Sequence, residues 1–261
     1  MTEGWHGWDD YAPFYDWENA RTVGRDDLPF WRMLAMKARG RVLELGCGTG
    51  RLSVPIARAG VSLVGVDRSG PMLARAQGKA RAVRTRAGGR RRGRLTLVRA
   101  DIRALPFGAK RFPMVIAPYG VLQSLVRPRD LSAVLASVSR VIEPGGTFAI
   151  DLVPDVPNWD EYKDHVTFRG RAKGGIHLTL IESVRQDRRR KLTIFEQRFV
   201  ERRGRRAAEH RFSLTFRTVP MRILVGLVER AGFSVEALLG DYRGRPWDAR
   251  ADVWILLAKR L

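Results

Sequence analysis

The chain has 261 residues, a formal net charge of +21 and 44% hydrophobic residues. That length buries a sizeable core, either as one large domain or as one domain carrying an insertion. A single cysteine, Cys47, excludes an intramolecular disulfide and a cysteine-cluster zinc site, and no run of 18 apolar residues offers a membrane span.

Residues 1–10 are acidic and aromatic rather than basic and apolar, which is not the pattern of a secretory signal, so the cytoplasm is the expected compartment. Residues 10–39 read as two amphipathic helices. Asp26 and Asp27 offer capping carboxylates, and Leu28, Trp31, Leu34 and Ala35 fall at helical spacing. This N-terminal segment, residues 1–40, is expected to form a helical cap over a ligand mouth, with Tyr11, Tyr15 and Trp17 as wall candidates. Trp17 fits an ordinary core aromatic at least as well.

Val42-Leu43-Glu44-Leu45 reads as a short buried strand that runs into Gly46-Cys47-Gly48-Thr49-Gly50, with a helix over 51–58. Glycine tolerates positive φ and has no Cβ, so such a turn lets backbone approach a ligand closely. A dinucleotide turn would read G-x-G-x-x-G, with pyrophosphate on the helix N-terminus. Here the third glycine, Gly50, comes one position early, and Arg51 stands in its place. Glu44, at the end of the strand, repels a pyrophosphate and suits a cationic ligand.

Further apolar strands are predicted near 61–67, 95–99, 112–118 and 146–153, alternating with helices. Continuous apolar strands in that alternation indicate an α/β fold with a parallel sheet covered on both faces. Asp67 closes the second strand, where an acid accepts hydrogen bonds from ribose hydroxyls in nucleotide folds. Asp101 closes the third. Beyond Asp151 the period changes to two: Phe212, Leu214 and Phe216 alternate with polar residues, and similar segments lie near 175–185 and 191–201. Residues 156–218 are therefore expected to be an antiparallel insertion of three or four strands. A helix over 221–231 and strands at 234–241 and 252–259 end the chain.

Val42 to Gly50 resembles motif I, (V/I)LE(L/I)GCGTG, of the class I S-adenosylmethionine-dependent methyltransferases. Ser69-Gly70-Pro71-Met72-Leu73, Asp101-Ile102 and Glu143-Pro144-Gly145-Gly146 resemble that family's later motifs, in order. The resemblance covers about residues 40–155 and the C-terminal ending. It implies a doubly wound, Rossmann-like, seven-stranded and mostly parallel sheet: residues 41–155 form the core and residues 219–261 add the helix and edge hairpin that complete it. It implies S-adenosylmethionine as cofactor, with contacts from Tyr15, Glu44, Gly46, Cys47, Gly48, Gly50, Asp67, Arg68, Met72, Asp101, Ile102 and Ala117. The insertion resembles the lid of small-molecule methyltransferases, including sugar and amine N-methyltransferases, where it covers the acceptor and can pair subunits in a homodimer.

In this fold ligands sit beyond the carboxyl ends of the strands. Residues 117–124 therefore face the acceptor, and Tyr119, Gln123 and Ser124 are the candidates for positioning it. Two positions depart from the family's pattern. Gln123-Ser124-Leu125 lacks the histidine that many small-molecule N-methyltransferases carry near there, and Pro113 stands where an aspartate commonly opens the fourth strand. Ile116-Ala117-Pro118-Tyr119 also lacks the Asn or Asp with which (N/D)-P-P-(Y/F) enzymes accept the hydrogens of an exocyclic base amine. The four histidines, His6, His165, His177 and His210, have no metal spacing, and no metal is expected. His165 or His177 can serve as a base from the insertion, although a surface position is the commoner one.

The positive charge is 41 arginines against 7 lysines. Residues 81–94 hold seven arginines and no acid, and residues 185–206 hold ten basic residues and three acids. Such clusters can bind phosphate, although solvated loops explain them more simply. The expectation is methyl transfer by in-line displacement to nitrogen or oxygen of a small molecule, without membrane association. The alternative is an RNA or protein methyltransferase that uses the arginine-rich surface.

Overall fold

The computed structural model describes residues 7–22, 27–84, 93–153, 160–248, 250–251 and 253–261. Asp26, Gly88, Gly89 and most of the 81–94 arginine run lie outside them.

Two helices come first, α1 (Trp8–Thr22) and α2 (Asp27–Met36), each with acidic residues in its first turn, where the helix dipole favours them. Then follow β1 (Val42–Leu45), α3 (Ser53–Arg58), β2 (Leu63–Asp67), α4 (Gly70–Arg84), β3 (Leu95–Arg99), β4 (Phe112–Ala117), α5 (Pro128–Val141) and β5 (Ile142–Leu152). Four further strands form the insertion: β6 (Tyr162–Arg171), β7 (His177–Asp187), β8 (Leu192–Arg203) and β9 (Arg206–Arg217). Helix α6 (Met221–Arg230), β10 (Phe233–Leu239) and β11 (Trp254–Arg260) complete the chain.

The main sheet has seven strands in the order β10-β11-β5-β4-β1-β2-β3. Strands β1 to β5 pair in parallel, while β11 runs antiparallel to both β5 and β10. All four residues of β1 are buried, because helices cover both faces of the sheet. One face carries α5 and α6 through Leu131, Val134, Val138, Leu224 and Val228; the other carries Phe30, Trp31 and Ile56 of α2 and α3. Strand order reverses between β1 and β4, so their carboxyl ends open the crevice that this topology offers to ligands.

Pro113 sits inside β4, a central strand, where proline would remove a ladder hydrogen bond. The pairing of β4 with β5 shifts register between Phe112 and Met114, so the proline occupies an irregularity. Its ring also packs at 3.0 Å from where a Cβ on Gly40 would stand.

The second sheet is antiparallel in the order β6-β7-β8-β9. Strand β6 is an edge strand and mostly exposed, which leaves it without a period-two apolar pattern in the sequence. Helix α1 lies on this sheet: Tyr11, Phe14 and Trp17 share one buried cluster with Leu178, Leu180, Phe199, Leu214 and Met72 of α4. Trp17 is a core aromatic, its indole N–H donating to the Arg171 carbonyl at 3.2 Å. Each such aromatic buries on the order of 150–250 Å², worth roughly 4 kcal/mol. Among the described residues no helix is long and apolar enough to cross a membrane.

Candidate functional site

The turn after β1 takes positive φ at three glycines: Gly46 (+62°), Gly48 (+51°) and Gly50 (+75°). They serve different ends. A Cβ on Gly46 would stand 2.3 Å from Val121 Cγ2, and one on Gly50 would meet Val54 and Ala76 at 3.0 and 3.1 Å. Gly50 thus lets α3 and α4 pack closely and does not line the cavity. Gly48 has open space beside it, and its N–H donates to Asp67 Oδ2 at 2.8 Å.

Asp67 accepts a second backbone N–H, from Ser69 to Oδ1 at 2.8 Å, and so ties the glycine turn to the start of α4. Burial pushes its carboxyl above the usual range, opposed by these N–H donors. The Arg68 N–H also bonds this carboxyl, so of the about four lone-pair sites of a carboxylate about one remains for a ligand hydroxyl. Asp101 caps the short 3-10 turn over Ile102–Ala104 and pairs with Arg103 at 2.7 Å and Arg68 at 3.0 Å. Burial raises its carboxyl, but Arg103 and Arg68 outweigh it and hold the group below its ordinary value.

Arg51, in the place of a third dinucleotide glycine, makes a bidentate pair with Asp27 at 2.7 and 2.8 Å. Its guanidinium lies 5.1 Å from the centre of the Tyr119 ring. It fastens α2 to the turn. Glu44 is 2% exposed, accepts from the Ser53 hydroxyl, and is pushed up to about 7 by burial. Asp151, at the end of β5, accepts from the Gly120 N–H at 2.9 Å and the Tyr242 hydroxyl at 2.7 Å, and burial raises it to about 6. It supports the Tyr119-Gly120 turn, where both residues take positive φ, +60° and +61°.

These two carboxyls set a pH dependence. Their folded values exceed the ordinary 4.5 and 3.8, so the folded state binds protons more tightly than the unfolded chain. Their contribution is complete below about pH 4 and is lost as pH rises through 6 to 7. Calorimetry of ligand-free protein between pH 5 and pH 8 is expected to show a shallower fall of Tm in Glu44→Gln than in the wild type. Parallel curves would contradict the assignment.

A cavity of about 680 Å³ runs from this turn to the second sheet. Tyr15, Glu44, Gly46, Cys47, Gly48, Asp67, Arg68, Met72, Asp101 and Ile102 line it, as do Tyr119, Gln123 and Ser124; Gly50 and Ala117 do not. Gln123 is 5% exposed and uses both ends of its amide on Val153, donating to its carbonyl at 3.1 Å and accepting from its N–H at 2.9 Å. The Ser124 hydroxyl donates to the Val121 carbonyl at 2.7 Å. Of the three acceptor-positioning candidates, Tyr119 alone, 42% exposed, makes neither of these backbone bonds. His165 and His177 are exposed and outside the cavity wall.

Residues not singled out in the sequence form the wall made by α1 and the second sheet: Glu18 and Asn19 of α1, Tyr162 of β6, Glu182 of β7 and Gln197 of β8. Helix α1 is also latched to the glycine turn. Asp16 accepts from the Thr49 hydroxyl at 2.6 Å and from Lys79 Nζ at 2.6 Å, and Lys79 reaches Thr49 Oγ1 at 2.9 Å.

The glycine cradle, the remaining acceptor capacity of Asp67 and a cavity in the usual size range for cofactor sites all fit a nucleoside carrying a cationic tail. The family model described as "Methyltransferase domain" matches residues 42–146. A demethylmenaquinone methyltransferase of Renibacterium salmoninarum is 33% identical over 147 residues, 54% of this chain and 55% of that protein. A ubiquinone/menaquinone biosynthesis C-methyltransferase of Geobacter sulfurreducens is 35% identical over 150 residues, 54% of each. The chain thus spans about half the length of the curated relatives it matches.

Solved structures match over nearly the whole chain and share its fold. An S-adenosylmethionine-dependent methyltransferase from Clostridium acetobutylicum has a TM-score of 0.76 at 16% identity, covering 97% of this chain and 98% of that one. A sugar N-methyltransferase from Streptoalloteichus has a TM-score of 0.73 at 16% identity, covering 94% and 92%. Residues 42–146 are thus similar to a methyltransferase domain, and the chain shares its fold with S-adenosylmethionine-dependent methyltransferases.

Proposed function

We propose that this protein transfers a methyl group by in-line displacement to nitrogen or oxygen of a small-molecule acceptor. The observation that carries this reading is one continuous cavity lined by the glycine turn, by α1 and by the second sheet. S-adenosylmethionine, when bound, supplies a methyl group activated by its sulfonium. The chain's own residues then have to align the acceptor and exclude water. In this reading residues 1–40 are the cap, 41–155 the cofactor core, 156–218 the acceptor lid or dimer contact, and 219–261 the completion of the core. Asp67 holds the ribose, Asp101 and Ile102 flank the adenine, Glu44 and Tyr15 face the methionyl end, and Tyr119 walls the acceptor. Nothing in these roles requires a histidine base at the Ser124 position.

A second reading, an RNA or protein acceptor, is favoured by Arg188, Arg189, Arg190 and Lys191. They are exposed in the β7–β8 turn, and Arg188 and Lys191 reach the cavity. Incubating the protein with methyl-labelled cofactor and, in parallel, a metabolite extract or total RNA separates the readings. Label is expected in the small-molecule fraction. Label confined to RNA, with binding that falls steeply with salt, would replace this reading by the second.

A further inference from the structure

The cavity wall formed by α1 and the second sheet is polar in a way that its surroundings are not. On the inward row of β7, Leu178, Leu180 and Val184 are buried apolar residues, and Glu182 falls in phase with them. Gln197 stands directly across the ladder from Glu182, on a row with buried Phe199. Glu18 of α1 meets both from the opposite side. Exposure is only 8% for Glu18, 7% for Glu182 and 4% for Gln197.

One amide group bridges the two acids: Gln197 Nε2 donates to Glu18 Oε1 and to Glu182 Oε2, each at 2.9 Å. The Tyr11 hydroxyl donates to the other Glu18 oxygen and the Tyr162 hydroxyl to the other Glu182 oxygen. Burial raises Glu18 to about 7 against the Gln197 hydrogen bond, and the nearby Glu182 adds to the rise.

An independent observation points to a ligand. Gln197 Oε1 and Asn19 Oδ1 are buried acceptors without a hydrogen-bond partner, and both side chains line this cavity. Gln197 and Asn19 are 4% and 7% exposed, so solvent does not satisfy them. A buried acceptor left unpaired is costly, and the hydroxyls nearby already donate to the carboxyls. The wall therefore presents oxygens that accept and asks for donors. An ammonium offers three donors, no lone pair and a positive charge. A hydroxyl brings one donor together with lone pairs that face other lone pairs, and a carbonyl or phosphate brings acceptors only.

We propose that Glu18, Glu182, Gln197 and Asn19 form a subsite for the ammonium group of an amine acceptor. The proposal rests on the methyltransferase reading of the rest of the cavity and gives the acceptor a charged amine by which it is anchored, distinct from the lone-pair-bearing atom that takes the methyl group.

The test uses full-length protein with labelled glutamate carboxyls, saturated with S-adenosylhomocysteine, and follows the Glu18 and Glu182 resonances by NMR. Benzylamine and benzyl alcohol are the probes, matched in shape and differing in the group presented. Benzylammonium is expected to shift both resonances saturably, benzyl alcohol to leave them in place, and Glu182→Gln to weaken the amine about tenfold. Glu18→Gln serves in its stead if that variant fails to fold. Equal shifts from both probes, or no saturable shift from benzylamine up to roughly 50 mM, overturn the subsite. Failure of S-adenosylhomocysteine itself to bind the wild type would instead overturn the methyltransferase reading.

Discussion

Gly46→Ala is expected to abolish measurable cofactor binding and to lower Tm by roughly 10 °C. Two costs combine. An alanine at φ +62° enters the left-handed region at about 1–2 kcal/mol. Its Cβ would also stand 2.3 Å from Val121 Cγ2 and 3.2 Å from Val121 Cβ, and overpacking of that kind costs about 1–3 kcal/mol more. Because Val121 belongs to the segment that follows β4, the clash pushes apart the two strand ends that frame the crevice. The double variant Gly46→Ala/Val121→Ala should recover part of the Tm and of the affinity, since it relieves the steric cost and leaves the backbone cost. Calorimetric titration with S-adenosylhomocysteine and thermal melts measure both. Wild-type affinity in the single variant would mean that the cradle is not where the cofactor lies.

Asp67→Ala should weaken S-adenosylhomocysteine by at least about 100-fold, the result of losing charge-assisted hydrogen bonds worth about 1.5–3 kcal/mol each. The carboxylate holds Gly48 and Ser69 by their N–H groups, so its removal loosens the glycine turn as well as taking away the acceptor assigned to ribose. Asp67→Asn is the informative intermediate: one carbonyl oxygen survives, one N–H is orphaned, and the affinity should fall between the other two. Titration calorimetry on the three proteins gives the series. An unchanged affinity in Asp67→Ala removes Asp67 from the site.

The core was largely legible because its signals are local. A strand running into a glycine turn, an acid closing β2 and apolar strands alternating with helices are each contained within a short window of sequence. What escaped was long-range. Arg51 read as a missing glycine, and only folding brings it to Asp27, 24 residues away, to become a fastener of α2. Gln123 and Ser124 line the cavity, yet their polar atoms are engaged by backbone that sequence spacing does not locate. Glu18 and Gln197 are separated by 179 residues, and each resembles an ordinary polar position of an amphipathic element. One trace was present: Glu182 keeps the parity of Leu178, Leu180 and Val184, so an acid stood on a face that the pattern reserved for apolar residues.

Helix α1 belongs to two neighbourhoods at once. Asp16 fastens it to the glycine turn and α4, while Phe14 and Trp17 are embedded in the second sheet. A displacement that frees one flank therefore drags the other. In the proposed reading, opening the cofactor end of the cavity is therefore expected to loosen its acceptor end as well.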